Sequence, residues 1–139
     1  MYLLDTDLVS ELIKPRPKKS VIDWVENCDE ESLFLSVITV GELQKGVSKL
    51  PDSRRKRTLQ SWLERDIRQR FEKRILDITP EVIIAWGKLQ AETELNGQKL
   101  PVTDSLIAAT AQIHNMTVVT RNVSDMERCG VEVLNPWDI

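Results

Sequence analysis

A chain of 139 residues, 41% hydrophobic and 29% charged, can bury roughly two-thirds of its unfolded surface, so residues 1–139 are expected to form one domain. The charges alternate with regular apolar runs and no internal repeat is visible, which excludes wholesale disorder and low complexity. The net charge of −3 hides an asymmetry: residues 54–74 hold nine Lys or Arg against Glu64, Asp66 and Glu72, a balance of +6, which leaves −9 on the remainder.

Tyr2-Leu3-Leu4-Asp5 reads as a short apolar strand ending at a carboxylate, and residues 7–13 as a helix stopped before Pro15 and Pro17. A second helix, capped by Ser20, sets Val21, Ile22, Trp24 and Val25 on its apolar side down to Cys28. The nearly continuous apolar run 33–38 suits a strand buried on both faces. Residues 39–50 then form a helix with Val40, Leu43, Val47 and Leu50 on one side, closed by Pro51-Asp52-Ser53. A long basic helix follows, carrying an apolar stripe of Leu59, Trp62, Leu63 and Ile67, and residues 75–78 make a brief extended link.

Thr79-Pro80 opens the next helix as cap and first-turn proline, and Asn96-Gly97 closes it. Beyond the 97–101 loop, Thr103-Asp104 starts a small-residue helix whose alanines let it lie close against a sheet. Residues 117–120 and 131–134 are strands, joined by 121–130. Strands alternating with helices predict a three-layer α/β/α domain around a central, mainly parallel sheet of four to five strands.

Cys28 and Cys129 stand alone and His114 is the one histidine, so neither a zinc cage nor a disulfide framework is expected, and both thiols are read as buried. There is no glycine-rich phosphate loop and no Gly-x-Ser-x-Gly elbow to partner His114. The four tryptophans are assigned to core packing. No apolar run approaches the ~20 residues of a membrane-spanning helix, and the expected location is cytoplasmic.

In open parallel sheets, ligands bind beyond the carboxyl ends of the strands. Asp5 ends the first strand, Glu42 lies one turn into the helix after the second, and Asn122 and Asp125 follow strand 117–120. Asp104 opens a helix whose N-terminus faces the same edge. Each acid has a local explanation: a first-turn carboxylate offsets the helix dipole by a few tenths to ~1 kcal/mol, and Thr39-x-x-Glu42 fits a capping box. Four carboxylates at one edge nevertheless repel unless a cation neutralises them. Oxygen donors without nearby His or Cys specify Mg²⁺ or Mn²⁺.

The segment 3–12, Leu-Leu-Asp-Thr-Asp-Leu-Val-Ser-Glu-Leu, resembles the opening of VapC/FitB-type PIN domains. Ser36-Val37-Ile38-Thr39-Val40-Gly41-Glu42-Leu43 resembles their second acidic motif, and Asp104-Ser105-Leu106-Ile107-Ala108-Ala109-Thr110-Ala111 their third. Val118-Val119-Thr120-Arg121-Asn122 with Asp125, then Asn135-Pro136-Trp137, is similar to the family's C-terminal end, so the resemblance spans the chain. Asp7 departs from it, standing where the family usually carries an amide; it caps the first helix in our reading, with a place in the metal site as the alternative. Asp125 is the variable fourth acid, and Asn122 is the alternative there.

What the resemblance implies is an endoribonuclease toxin of a type II toxin–antitoxin pair, in which a metal-activated water attacks an RNA phosphodiester. Asp5 and Asp104 would be metal ligands, Glu42 a ligand or the base that orients water, and Asp125 an outer or second-metal ligand. Thr6 and Thr120 would orient these carboxylates. The resemblance further implies a homodimer restrained by a small DNA-binding antitoxin, whose segment would lie between the first helix (Leu8, Val9, Leu12, Ile13) and the basic helix stripe. The basic stretch itself is either a solvated helix face or an RNA track. Two rivals remain at this point: a haloacid-dehalogenase-like phosphatase using Asp5 and Asp7, and a non-catalytic PIN-like module that binds RNA or a partner.

Overall fold

Strand β1 (Tyr2–Leu4) shows how the molecule is layered. In a computed structural model describing residues 1–139, Leu4 belongs to one buried cluster and Leu3 to another. Successive strand side chains point to opposite faces, and β4 (Thr117–Val119) repeats the split, with Val119 in the first cluster and Val118 in the second. The sheet therefore carries a hydrophobic core on each face.

Five parallel strands form it in the order β3-β2-β1-β4-β5, with β2 at Leu33–Ser36, β3 at Ile75–Leu76 and β5 at Val133–Leu134. Leu3 pairs with Phe34 on one side and Val118 on the other. The first core takes Leu8 and Val9 from α1 (Thr6–Leu12), Val21 and Val25 from α2 (Lys19–Asn27) and Leu43 from α3 (Val37–Ser48). Leu63, Ile67 and Phe71, from the chain around α4 (Arg54–Ser61) and α5 (Arg68–Arg70), complete it. The second core takes Leu89 from α6 (Pro80–Leu95), Ile107, Ala108 and Ala111 from α7 (Val102–His114) and Met126 from α8 (Val123–Arg128). The three layers expected from the alternation of strands and helices are present.

Local signals place several boundaries. Thr79 Oγ1 accepts the N–H of Val82 at 3.2 Å with Pro80 in the first turn of α6. Gly97, at φ +69°, supplies the left-handed residue after that helix. Trp86 Nε1 and Gln90 Nε2 both donate to Ser105 Oγ, at 3.0 and 2.9 Å, tying α6 to α7.

Other boundaries differ from the sequence expectation. Strand 33–38 stops at Ser36, whose Oγ accepts the N–H of Ile38 at 3.1 Å and starts α3 two residues early. The Thr39–Glu42 capping box does not form, because both residues are already inside the helix and Thr39 is fully buried. Ser20 does not cap α2: the helix begins at Lys19, and Ser20 Oγ is buried without a partner. The 75–78 link contains edge strand β3, which pairs Ile75 with Leu35. Between α4 and α5 runs a π-helical segment, Trp62–Ile67, in which Leu63 and Ile67 both reach the core. The 121–130 connection contains α8, and Cys28 is half-buried whereas Cys129 is buried.

Candidate active site

Asp5 leaves β1 and becomes the N-cap of α1, its Oδ1 accepting the N–H of Thr6 at 2.7 Å. Its own N–H donates to Val119 O at 3.0 Å, so the end of β4 lies beside the end of β1. Thr120, the next residue, donates its hydroxyl to Asp5 Oδ2 at 2.7 Å. This is where the chain's path over the sheet reverses, from β2 and β3 on one side of β1 to β4 and β5 on the other, the usual place for a ligand crevice.

Asp7 is not the helix cap. Its Oδ2 accepts the backbone N–H of Arg121 at 3.1 Å and lies 3.4 Å from Thr120 Oγ1, while its Oδ1 is buried without a partner. A hydroxyl has one hydrogen to give, and the shorter contact assigns that of Thr120 to Asp5. From α3, Glu42 accepts the Thr6 hydroxyl at 2.6 Å. From the first turn of α7, Asp104 accepts the Asn122 amide at 3.3 Å.

Asp5, Asp7, Glu42 and Asp104 thus line one open cavity with Thr6, Ser10 and Asn122. Three of the four predicted acids are brought together, and Asp7 is added. Asp125 does not line the cavity. It accepts the Asn122 amide at 3.1 Å, pairs with Arg128 and so stands behind Asp104, linked to it through Asn122.

A groove adjoins the cavity between α1, α3 and α4, sharing Thr6 and Glu42 with it and walled by Leu43, Arg55, Leu59 and Trp62. It continues past Ile13, Pro15 and Arg54. Of the expected groove walls, Ile13, Leu59 and Trp62 line it, whereas Leu8, Val9, Leu63 and Ile67 are committed to the core. Of the basic stretch, Arg70 and Arg74 each pair with Glu30 at 2.9 Å and lie over the Phe71 ring. Arg54 and Arg55 are exposed at the groove.

The PIN domain family model matches residues 2–129. The chain belongs to the PIN domain family. It is 36% identical over 137 residues to Toxin FitB of Neisseria gonorrhoeae, covering 99% of both chains. It is 34% identical over 138 residues to VapC ribonuclease Y4jK of Sinorhizobium fredii, again covering 99% of both. A solved structure of FitAB bound to an IR36 DNA fragment superposes with a TM-score of 0.94 at 34% identity, covering 100% of this chain and 97% of that one.

In this PIN domain the cavity is short of positive charge. Burial, then the neighbouring Asp7 charge, pushes Asp5 up to about 7 against the pull of its Thr120 and Thr6 hydrogen bonds. Burial also raises Asp7, and burial followed by the charges of Glu42, Asp125 and Asp7 raises Asp104. Carboxylate, hydroxyl and amide oxygens are the donor set of a hard divalent cation, and the orphaned Asp7 Oδ1 faces the same need. The chemistry fits such an ion. No three of the acidic, His or Cys side chains are yet arranged around one point, since Glu42 and Asp104 are turned to Thr6 and Asn122.

The phosphatase alternative fails on family membership. A second acidic site escaped the sequence reading. Glu11 on α1 is buried and accepts the indole N–H of Trp137 at 3.1 Å. Trp137 sits in a turn after Asn135, off any helical stripe, and its only sequence signal was the C-terminal Asn-Pro-Trp resemblance. No helix of the chain is long and apolar enough to cross a membrane.

Proposed function

We propose that this chain is the ribonuclease toxin of a type II toxin–antitoxin pair, hydrolysing RNA phosphodiester bonds with a divalent cation, Mg²⁺ or Mn²⁺. The observation that carries the reading is the cavity: four carboxylates gathered by three separate helices, with Asp5 and Asp104 raised by burial and by neighbouring carboxylates, in a chain related end to end to a VapC ribonuclease. Such a cation, when bound, makes water acidic enough to act as a nucleophile and offsets charge developing on the phosphate.

Asp5, Asp104 and Glu42 are the residues we assign to hold it. Thr120 holds the carboxylate of Asp5 by a hydrogen bond, whereas Glu42, bonded to Thr6 here, would turn to reach the cation. Glu42 serves as ligand or as the base that takes the proton of the attacking water. Asn122 links Asp104 to Asp125, which makes Asp125 an outer contributor. Asp7 adds an unpaired oxygen to the same cavity.

Restraint by a small DNA-binding antitoxin is supported by the likeness to FitAB bound to DNA. The groove of Leu43, Leu59 and Trp62 opens onto Glu42 and suits an amphipathic segment of that partner. A basic side chain carried on the segment would meet the acidic cluster and compete with the cation. We further assign residues 1–139 to one PIN domain acting as a homodimer in the cytoplasm.

Purified chain incubated with RNA and Mg²⁺ or Mn²⁺ tests the reading: cleavage that stops with chelator supports it, and no cleavage with either cation contradicts it. Adding the genomic neighbour tests the regulation. Cleavage should fall and the two should co-purify; equal cleavage with and without the neighbour removes the partner.

A further inference from the structure

Acidic side chains are seldom fully buried unless paired, and Glu11 is 4% exposed. Its Oε1 accepts from Trp137 Nε1 at 3.1 Å and Lys14 Nζ at 3.2 Å and lies 3.7 Å from Arg121 Nη2; its Oε2 accepts the N–H of Lys18 at 3.3 Å. The Arg121 guanidinium lies 4.5 Å from the centre of the Trp137 ring, a cation–π stack. One carboxylate and one indole therefore grip the same arginine.

Arg121 is the middle of three consecutive residues that each hold a different acid of the cavity. Thr120 Oγ1 donates to Asp5 at 2.7 Å, Arg121 N to Asp7 at 3.1 Å and Asn122 Nδ2 to Asp104 at 3.3 Å. Where this loop sits thus sets the orientation of three carboxylates at once. Thr120 is tied below to β5 through Leu134 O at 3.0 Å. Above it, the side chain of Arg121 anchors the loop to α1 and to the C-terminal turn Pro136–Asp138. That turn is itself built in: Trp137 packs against the first core, and its N–H donates to Asn135 Oδ1 at 2.9 Å.

We infer that Glu11, Trp137 and Arg121 form a latch that holds loop 120–122 against the carboxylate cluster, making Glu11 and Trp137 positioning residues for the site. Neither side chain lines the cavity, so both act through the loop. The competing role for Arg121 is a direct contact with RNA phosphate, since its side chain is 57% exposed. Trp137→Phe separates the two, because it removes the indole N–H and changes no charge.

The inference rests on the proposed nuclease function for its turnover arm only. In the first arm, native-state amide exchange is measured on the full-length, metal-free chain for wild type, Trp137→Phe and Glu11→Gln. Exchange at the Arg121 and Asn122 amides should rise in both variants by about tenfold more than at the β1 and β4 amides, which follow only the global loss of stability. In the second arm, RNA turnover with Mn²⁺ should show kcat lowered about tenfold or more and KM little changed, because small misplacements of reacting groups cost rate rather than binding. Arg121→Lys, which keeps the charge and loses the planar stack, should fall with them.

Exchange unchanged at Arg121 and Asn122, or raised equally throughout the sheet, overturns the latch. So does a normal kcat in both Trp137→Phe and Glu11→Gln. A wild-type chain that cuts no RNA overturns the nuclease reading alone, and the exchange arm still decides the latch.

Discussion

Asp7 and Glu11 lie four residues apart on the same helix, both largely or wholly withdrawn from solvent, and their surroundings treat them oppositely. Glu11 meets four donors; burial raises its carboxyl, but the bonds from Trp137, Lys14 and Lys18 outweigh burial and hold it below its ordinary range. Asp7 meets one backbone N–H, keeps an orphaned oxygen and faces Asp5 across the cavity, so burial raises it. The difference teaches that a buried acid is not a functional signal by itself. What distinguishes the cavity is an acid set whose compensation is missing and must come from outside the chain.

The largest expected effect breaks that comparison on the catalytic side. Asp5→Asn should lower metal-dependent RNA cleavage to background while leaving the metal-free fold as stable or more so, since one repelling charge is gone. Urea denaturation alongside the RNA assay checks both halves. Full activity in the variant would remove Asp5 from the site.

Glu11→Gln sharpens the comparison from the other side. The amide still accepts from Trp137 but loses its charge toward Lys14 and Arg121, and stability should drop by about 1–2 kcal/mol, read as a lower urea midpoint. An unchanged midpoint would mean that the buried pairing contributes nothing net.

The two acids also predict opposite pH behaviour. Unfolded Asp5 has lost its proton above its ordinary 3.8, whereas folded Asp5 keeps it up to about 7. Between these values the unfolded chain binds fewer protons, so metal-free stability should fall as pH rises, at up to about 1.4 kcal/mol per pH unit. Glu11 works the other way: its lowered folded value contributes stability above the unfolded pKa that is lost as pH falls through the folded one. Denaturation midpoints of the metal-free chain from pH 4 to 8 test this, and saturating Mg²⁺ should flatten the decline. A midpoint that rises from pH 5 to 7 without metal would contradict the assigned state of Asp5.

Much of this was legible in the chain. The strand–helix alternation was enough for the architecture, and Asp5, Glu42 and Asp104 stood out because each follows or opens an element at the same sheet edge. Edge strand β3 was not legible, since Ile75 and Leu76 are too short a run to show a period. Helix α8, of six residues, was hidden for the same reason. Asp7 was misread because Asp5 and Asp7 both suit a cap, and only the end of β1 and the approach of Arg121 decide between them. The Glu11–Trp137 bond joins positions 126 apart in sequence, and no local pattern announces such a contact.

A smaller effect concerns the groove. If Arg54, Arg55 and Arg57 track RNA, neutralising all three should weaken binding and reduce the slope of log K against log salt by roughly 2, at about 0.7 per phosphate contact on single strands. An unchanged slope would make them a solvated helix face, in contrast to Arg70 and Arg74, which are held by Glu30.

The central claim is that the uncompensated acids of the cavity work by taking up a divalent cation. It is tested most directly by titrating Mn²⁺ into chelator-treated wild-type and Asp104→Asn chains and following RNA cleavage. The account predicts no cleavage without metal, saturable recovery in wild type and none in the variant at any Mn²⁺ concentration. Cleavage that persists in chelator, or an Asp104→Asn chain that recovers as wild type does, would contradict it.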